Sequence, residues 1–350
     1  MSMEPIRVGL IGNGYAGATI HVPLISAVDG LRLVRIATAR PGSVMLGGVE
    51  TVATPTQLIE ASDIDLVVIA TPNTTHAALA REALRAGKHV VLEKPFTVTS
   101  AEAQELLQIA AAKERVLSVF HSRRWDNDFM TLRRCIDAGL LGEIHSYQAH
   151  FNRYRPQVRP RWREQDIPGS GALYDLGSHL IDQALVLFGL PSNVAAHIAT
   201  QRTQGQAVDY FHLLLGYGAR KVVLESGALV REPGPRFQVH GSQGSFIKSG
   251  LDPQEEALKL GRRPGDAGFG EDDAASAGRL ITDCAGLPLR AAVTSLPGDY
   301  AAFYRGMRDA IRHAGAAPVP AVEALNVIRV IELALESHRR RRSVAYSPNV

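Results

Sequence analysis

Short apolar runs alternate with helix-spaced ones over the first third of the chain. Residues 6–11, 31–37, 66–70, 90–92 and 116–120 are rich in Val, Ile and Leu, with little polar alternation. Strands buried on both faces read that way, because helices cover a parallel sheet above and below. Helical stretches lie between them. Residues 74–86 stop at Gly87, a residue suited to a helix C-terminus. Thr99, with Glu102 three residues on, makes the capping box that opens another helix. Pro55 suits the first turn of a short helix over 56–61. Pro23 falls inside the first predicted helix and should kink or shorten it. Repeated strand–helix–strand units predict a parallel sheet with right-handed crossovers.

Beyond about residue 121 the rhythm changes. A helix over 127–138 leads to Gly142, and strands follow in series at 145–154, 194–201, 210–215, 221–226, 236–240 and 245–248. One long helix, 172–188, interrupts them. Strands collected in this way predict an α+β unit with a mostly antiparallel, open sheet. Residues 261–286, rich in Gly, Ala and Asp, read as a long loop or mobile insertion. Helical periodicity returns over 321–342 and ends in a run of arginines, where the helix macrodipole favours cations. The pattern is α/β with two domains, 1–121 and 122–350.

Composition narrows the class without changing this picture. The chain has 350 residues, enough for two ordinary domains with sizeable cores. Lys and Arg number 38 against 35 Asp and Glu, a near-balance that argues against a dedicated nucleic-acid or membrane-surface protein. Two cysteines, Cys135 and Cys284, are too few for a disulfide framework or a CxxC metal site. Cys135, in a helical stretch, reads as a small buried hydrophobe. No apolar run is long enough to span a bilayer, and the N-terminal one reaches Gly12 too soon for a signal peptide. A soluble cytoplasmic protein without a metal site is expected.

Gly12-Asn13-Gly14-Tyr15-Ala16-Gly17 is a GxGxxG sequence. It directly follows a predicted strand and opens a helix, the context that makes the motif informative. Such glycines allow a tight turn and bring backbone N–H groups close to a pyrophosphate at a helix N-terminus. The first domain therefore reads as a dinucleotide-binding Rossmann domain. NAD sites usually place Asp or Glu about 20 residues beyond the glycines, on the ribose 2′-hydroxyl. Here the second strand ends in Thr38-Ala39-Arg40, with no carboxylate from Leu31 to Gly48. Arg40 can pair with a 2′-phosphate and Thr38 can donate to it, which makes NADP(H) the expected cofactor.

Two further constellations stand out. Glu93-Lys94-Pro95 follows the fifth predicted strand and puts Lys94 at the carboxyl edge of the sheet, where such folds bind ligands. Asp175 and His179 sit four apart within the long helix of the second domain, hence on one face.

These motifs carry a resemblance. Thr71-Pro72-Asn73-Thr-Thr-His76 and Ala86-Gly-Lys-His-Val-Val-Leu-Glu93-Lys94-Pro95-Phe96 resemble the glucose–fructose oxidoreductase/inositol dehydrogenase/MocA family. The likeness runs across essentially the whole chain, with Trp162-Arg163 and Asp175…His179 in the family's order. More narrowly, residues 121–129, 152–156, 161–164 and 174–183 resemble its NADP-dependent scyllo-inositol dehydrogenase branch. The resemblance implies that Lys94, Asp175 and His179 form the catalytic group. It implies that Thr71, Pro72, Asn73, His76 and Glu93 line the cofactor, and that Trp162 and Arg163 reach over it. NAD-using inositol dehydrogenases carry an acid at the end of the second strand, and this chain departs there.

The implied chemistry moves a hydride between a carbinol carbon and nicotinamide, and a proton between the alcohol and a base. His179 is a natural proton acceptor, since imidazole titrates near neutrality. Lys94 can hydrogen-bond the reacting oxygen, and Asp175 can orient the cations and the rest of the polyol. Either Lys94 or His179 can carry the proton. Arg123, Asn152 and Tyr154 are candidates for the remaining hydroxyls, the last two sharing a strand face by the period of two. Two other classes compete: a cofactor-bound regulator, which predicts a damaged Lys–Asp–His set, and an NAD-dependent glycosidase, which predicts retained NAD. A small polyol or sugar is the expected partner, with an open sheet face suggesting a homo-oligomer.

Overall fold

The computed structural model describes residues 4–39 and 47–347. Strands β1 (Ile6–Ile11), β2 (Leu31–Ala37), β3 (Glu50–Val52), β4 (Leu66–Ile69), β5 (His89–Glu93) and β6 (Leu117–Phe120) form one sheet, ordered β3-β2-β1-β4-β5-β6. Every pairing in it is parallel. That order, reversing between β1 and β4, is the dinucleotide-binding arrangement in which ligands bind at the reversal. The central strands are sealed from water: all of Leu66–Ile69 and Val90–Leu92 are fully buried. β3 has no apolar run and is absent from the sequence prediction; it is short and mostly half-exposed.

The helices follow their local signals. α1 (Val22–Ser26) is preceded by a π-helical segment, Ala16–His21, and Pro23 lies in its first turn. The helix runs on without a break from the π segment, so the proline, whose missing N–H removes a helix bond, coincides with the change of helix type. α2 (Pro55–Ile59), α3 (His76–Arg85) and α4 (Ser100–Ala112) come next. The Thr99–Glu102 box forms in both directions: Glu102 N donates to Thr99 Oγ1 at 3.3 Å, and Thr99 N to Glu102 Oε2 at 3.0 Å.

The second sheet is ordered β14-β13-β12-β11-β7-β10-β9-β8-β15. Its strands are β7 (Ile144–His150), β8 (Asn193–Ala199), β9 (Tyr210–Tyr217), β10 (Arg220–Gly227), β11 (Phe237–Gly241), β12 (Gly244–Lys248), β13 (Gly278–Cys284), β14 (Leu287–Val293) and β15 (Val344–Ala345). Only β7 and β10 run parallel; the other pairings are antiparallel. One face carries Tyr147, Phe211, Leu213, Val222, Leu224 and Phe237, all fully buried. α5 (Asn127–Asp137) and α6 (Ser178–Phe188) belong to this unit, and the π-helical segment Leu173–Gly177 leads into α6. Cys135 is buried in α5, as expected, and burial raises its thiol pKa.

Residues 261–286 are not one loop. They end in β13, and β14 follows, a strand whose Leu287 and Leu289 are exposed. The buried Lys248 ammonium donates to Asp272 at 2.7 Å and to Ser276 O at 2.6 Å, holding the connection to the sheet.

The first unit gathers the chain up to Ser122 with Gln254–Phe269 and Asp299–Leu325; the second has Arg123–Pro253, Gly270–Gly298 and the chain from Asn326. The chain thus re-enters the first unit twice, bringing α7 (Gln254–Lys259) and α8 (Ala301–His313). α9 (Ala321–Arg340) begins in the first unit and continues in the second. Among the described residues, no helix is long and apolar enough to cross a membrane.

Candidate active site

In the first unit the site is built largely from backbone. Gly12 leaves β1 with a φ of 101°, and a Cβ there would meet the Ala70 carbonyl oxygen at 2.7 Å. A Cβ on Gly17 would fall 2.0 Å from the Gly12 carbonyl oxygen. Gly14 differs, since a Cβ there would meet nothing within 4 Å. The turn is closed at its ends and open at its middle. That is the shape a pyrophosphate needs to approach backbone N–H groups at a helix N-terminus, so the residues present fit a dinucleotide. Ala18 N donates to Gly14 O at 2.9 Å as the helix starts. The exposed Tyr15 donates from its hydroxyl to Glu255 at 2.7 Å. Asn13 and Ala16 complete the turn. Thr38 follows β2, its N–H donating to Val52 O at 3.0 Å; Arg40 lies outside the described residues.

Beyond β4 the segment Thr71-Pro72-Asn73 folds onto itself. Thr75 Oγ1 donates to Pro72 O at 2.8 Å, so the Thr71 hydroxyl donates to Thr75 across 2.6 Å. His76 is fully buried, with Nδ1 3.0 Å from Pro95 O and Nε2 3.1 Å from Thr71 O. Burial pushes its pKa down, against the pull of those carbonyls. A neutral ring has one N–H to give, so His76 braces the Thr71 segment against the turn that carries Lys94 and has no ring nitrogen turned toward a ligand.

Glu93 ends β5 and joins a buried relay. Its Oε1 is 3.0 Å from His21 Nε2, and His21 Nδ1 is 2.6 Å from the Tyr304 hydroxyl. Burial, helped by the Glu93 charge, holds the Tyr304 pKa well above the usual phenol value. Tyr304 therefore keeps its proton and can donate to Nδ1, with Nε2–H then donating to the carboxylate. Burial works to raise the Glu93 pKa, but the His21 bond and the neighbouring Lys94 outweigh it, so the group stays ionised. Glu93 Oε2 accepts from Lys94 N at 3.0 Å, which fixes the backbone of the lysine. The Lys94–Pro95 peptide is cis. Sequence reasoning does not single out His21 or Tyr304; a lone histidine in an apolar helix was the available signal, and its tyrosine partner lies 283 residues away.

In the second unit the site is built from charged side chains. Asp175 lies in the π-helical segment and His179 in the first turn of α6. Such segments are frequent at functional sites. The buried His179 ring meets Phe151 edge-on at 6.2 Å. Phe151 also lies under two guanidiniums, Arg123 at 5.0 Å and Arg236 at 4.0 Å. Arg236 is fully buried and donates to Gln183 Oε1 at 2.7 Å, while Gln183 Nε2 donates to Arg123 O at 2.8 Å. Arg163 stacks over Trp162 at 4.4 Å and pairs with Asp175 at 3.6 Å, so three of the expected residues meet here.

Asn152 and Tyr154 do not share a strand face, because β7 ends at His150. Asn152 Oδ1 accepts from Gly227 N at 2.9 Å, and its amide donates to Glu225 at 3.3 Å. Tyr154 is exposed, with Arg231 stacked 3.9 Å above its ring.

Comparison with known proteins gives this arrangement its context. Residues 6–121 match the model of an oxidoreductase family's NAD-binding Rossmann fold, and residues 133–346 match that of its C-terminal alpha/beta domain. The chain is 46% identical over 344 residues to the uncharacterized oxidoreductase YdgJ of Escherichia coli K12, covering 97% of this chain and 99% of that protein. It is 42% identical to the Bacillus subtilis scyllo-inositol 2-dehydrogenase (NADP(+)) IolW, covering 98% and 96%. The crystal structure of the Bacillus subtilis oxidoreductase YvaA superposes with a TM-score of 0.96 at 41% identity, covering 99% of this chain and all of that one. The chain belongs to the glucose–fructose oxidoreductase/inositol dehydrogenase/MocA family of oxidoreductases.

Proposed function

We propose that the protein is an NADP(H)-dependent dehydrogenase that interconverts a secondary alcohol of a cyclic polyol or sugar, scyllo-inositol or a close analogue, and its ketone. The observation that carries this reading is the near-full-length likeness to a scyllo-inositol 2-dehydrogenase that uses NADP. The acid-free end of β2 supports the same cofactor.

When bound, the cofactor supplies the hydride acceptor for alcohol oxidation and the donor for the reverse. Gly12, Gly14 and Gly17 would hold its pyrophosphate, with Thr71, Pro72 and Asn73 alongside and Thr38 and Arg40 at the 2′-phosphate. Lys94, its backbone fixed by Glu93, donates to the reacting oxygen and steadies negative charge there as the proton leaves. His179, its ring set by Phe151, takes that proton. Asp175 accepts a hydroxyl of the polyol while its pair with Arg163 orients the carboxylate. Arg123 and Tyr154 offer polar groups for other hydroxyls. Asn152 acts through the strand end it ties down.

Cofactor choice is the direct test. Arg40→Ala should weaken NADPH binding by tenfold or more and leave NADH binding within about twofold, because only NADPH carries the 2′-phosphate. Equal losses for both would remove the NADP assignment. Turnover of scyllo-inositol without added metal is the accompanying expectation.

A further inference from the structure

Glu93 stands where the family resemblance implies a cofactor-lining residue, yet both of its oxygens are taken by the protein. Oε1 faces His21 Nε2 at 3.0 Å, and Oε2 accepts from Lys94 N at 3.0 Å. His21 passes the contact on: its Nδ1 is 2.6 Å from the Tyr304 hydroxyl, so each ring nitrogen has one partner. The imidazole and the phenol are sealed from water, and the Glu93 side chain is only 12% exposed. Burying such groups is unfavourable unless every bond is made, and apolar side chains would fill the same space without that penalty. Polar groups kept here hold something in place.

Three parts of the chain build the relay. His21 closes the π-helical segment Ala16–His21, which begins inside the glycine turn. Phe120, the last residue of β6, lies against the His21 ring with centroids 4.7 Å apart. Tyr304, in the first turn of α8, meets that ring edge-on at 6.1 Å, and Phe303 meets Phe120 edge-on at 4.9 Å. These rings clamp the imidazole between the start of the first helix and the end of β5. The charged groups facing Glu93 are few. Burial works to raise its pKa, His21 and Lys94 lower it, and the nearby His76 is buried with its own pKa pushed down. The relay thus joins the turn proposed to take the pyrophosphate to the turn that carries Lys94.

We infer that His21 and Tyr304 are positioning residues for Lys94: they hold the Glu93 carboxylate on the lysine backbone and so set the lysine at a fixed place relative to the glycine turn. The inference rests on the reading that Lys94 donates to the reacting oxygen. A lysine ammonium rides on a flexible four-carbon stem, so a fixed backbone is what keeps its reach constant. A carboxylate grips an N–H more strongly than a neutral acceptor does. Misplacing a reacting group by about 1 Å can lower a rate on the order of a hundredfold.

The full-length enzyme is assayed with NADP⁺ and scyllo-inositol as His21→Leu, His21→Gln and Tyr304→Phe. His21→Leu leaves the buried carboxyl with the Lys94 amide alone, so it takes up a proton near neutrality. Its kcat at pH 7 should fall about tenfold or more, with KM within about twofold, and should recover as pH rises. His21→Gln keeps an N–H for Glu93 and should regain most of kcat and the wild-type pH profile. Tyr304→Phe removes one hydroxyl and should lower kcat by about threefold. Equal losses in His21→Leu and His21→Gln, or losses that leave the pH profile unmoved, would make the relay a support of the fold alone and overturn the inference; near-normal kcat in all three would do the same. Where His21→Leu does not fold, Tyr304→Phe carries the test: reduced kcat at unchanged KM and urea midpoint sustains the role, and wild-type kcat overturns it. If the wild type oxidises no polyol, the dehydrogenase reading fails separately, and amide hydrogen exchange decides. Exchange at Lys94 about tenfold faster in His21→Leu, with Val91 in the middle of β5 unchanged, sustains the positioning role; unchanged exchange at Lys94 overturns it.

Discussion

The two units solve the problem of placing polar groups by different means. In the first, the site is made of glycines, carbonyls and a buried neutral imidazole: Gly12 and Gly17 fit only without a Cβ, and His76 faces backbone oxygens on both sides. In the second, paired charges do the placing, from Arg163–Asp175 to the arginines stacked on Phe151 behind His179. A backbone-built site is rigid and tolerant of chemistry but intolerant of volume. A charge-built site is the reverse. The first kind suits a cofactor with invariant phosphates, and the second suits a substrate whose substituents vary between relatives.

The sharpest test removes one group from each unit. Lys94→Ala and His179→Ala should each lower kcat by about a hundredfold or more, because a preorganised donor and a positioned base are worth at least that. NADPH affinity, read by fluorescence titration, should survive His179→Ala and fall modestly in Lys94→Ala, whose backbone neighbours the proposed cofactor segment. The His179→Ala profile of kcat against pH should change shape, because the positioned base is gone. Near-normal turnover in both variants would move catalysis to other residues and bring the regulator reading forward.

A second test asks whether volume governs the first unit. Gly17→Ala puts a Cβ 2.0 Å from a carbonyl oxygen that cannot retreat, so the fold itself should lose about 1–3 kcal/mol. Gly14→Ala meets no protein atom within 4 Å, so its urea midpoint should stay near wild type while NADPH affinity drops about tenfold or more. Equal melting losses in the two variants would mean that the turn is merely tight, with no open face for a pyrophosphate.

The same contrast governs what could be read from the sequence. The first unit's site is local: residues 12–17, 71–76 and 93–96 are three short motifs, each beside its own strand end, and the Thr99–Glu102 cap is a four-residue signal that folds as written. Wherever a contact spans the chain, the pattern falls silent. His21 meets Tyr304, Arg202 closes on Glu164, and Lys248 reaches Asp272 across a stretch that reads as loop. β14 is missed because it follows a Gly- and Asp-rich stretch that reads as loop, and Asn152 and Tyr154 are misread because alternation continues past the point where β7 ends. The proposed catalytic set, Lys94 with Asp175 and His179, follows from the family resemblance; spacing alone gives only the proximity of Asp175 to His179.

The smallest expected effect concerns imidazoles as neutral acceptors in the first unit. His89, at the start of β5, accepts from Val116 N at its Nδ1 across 3.0 Å, which a protonated ring cannot do. Burial and the nearby Arg115 lower its pKa to about 4, with Asp65 opposing. The unfolded chain takes up this proton near the ordinary value of about 6.5. Between those values the unfolded state binds more protons than the folded one, so stability rises with pH. The contribution is complete above about pH 6.5 and is lost as pH falls through about 4. Because the ring is only partly shielded, the loss should be roughly 1–2 kcal/mol, below the ideal figure for a sealed group. Urea unfolding at pH 7 and pH 4.5 should therefore show a smaller pH difference for His89→Gln than for wild type, by about 1 kcal/mol. His150→Gln, in the second unit, should change that difference in the same direction, because burial, Arg236 and His212 lower its pKa against the pull of Glu225. Parallel pH dependence in wild type and His89→Gln would mean that the β5–β6 contact survives protonation and that the first unit does not depend on a neutral ring there.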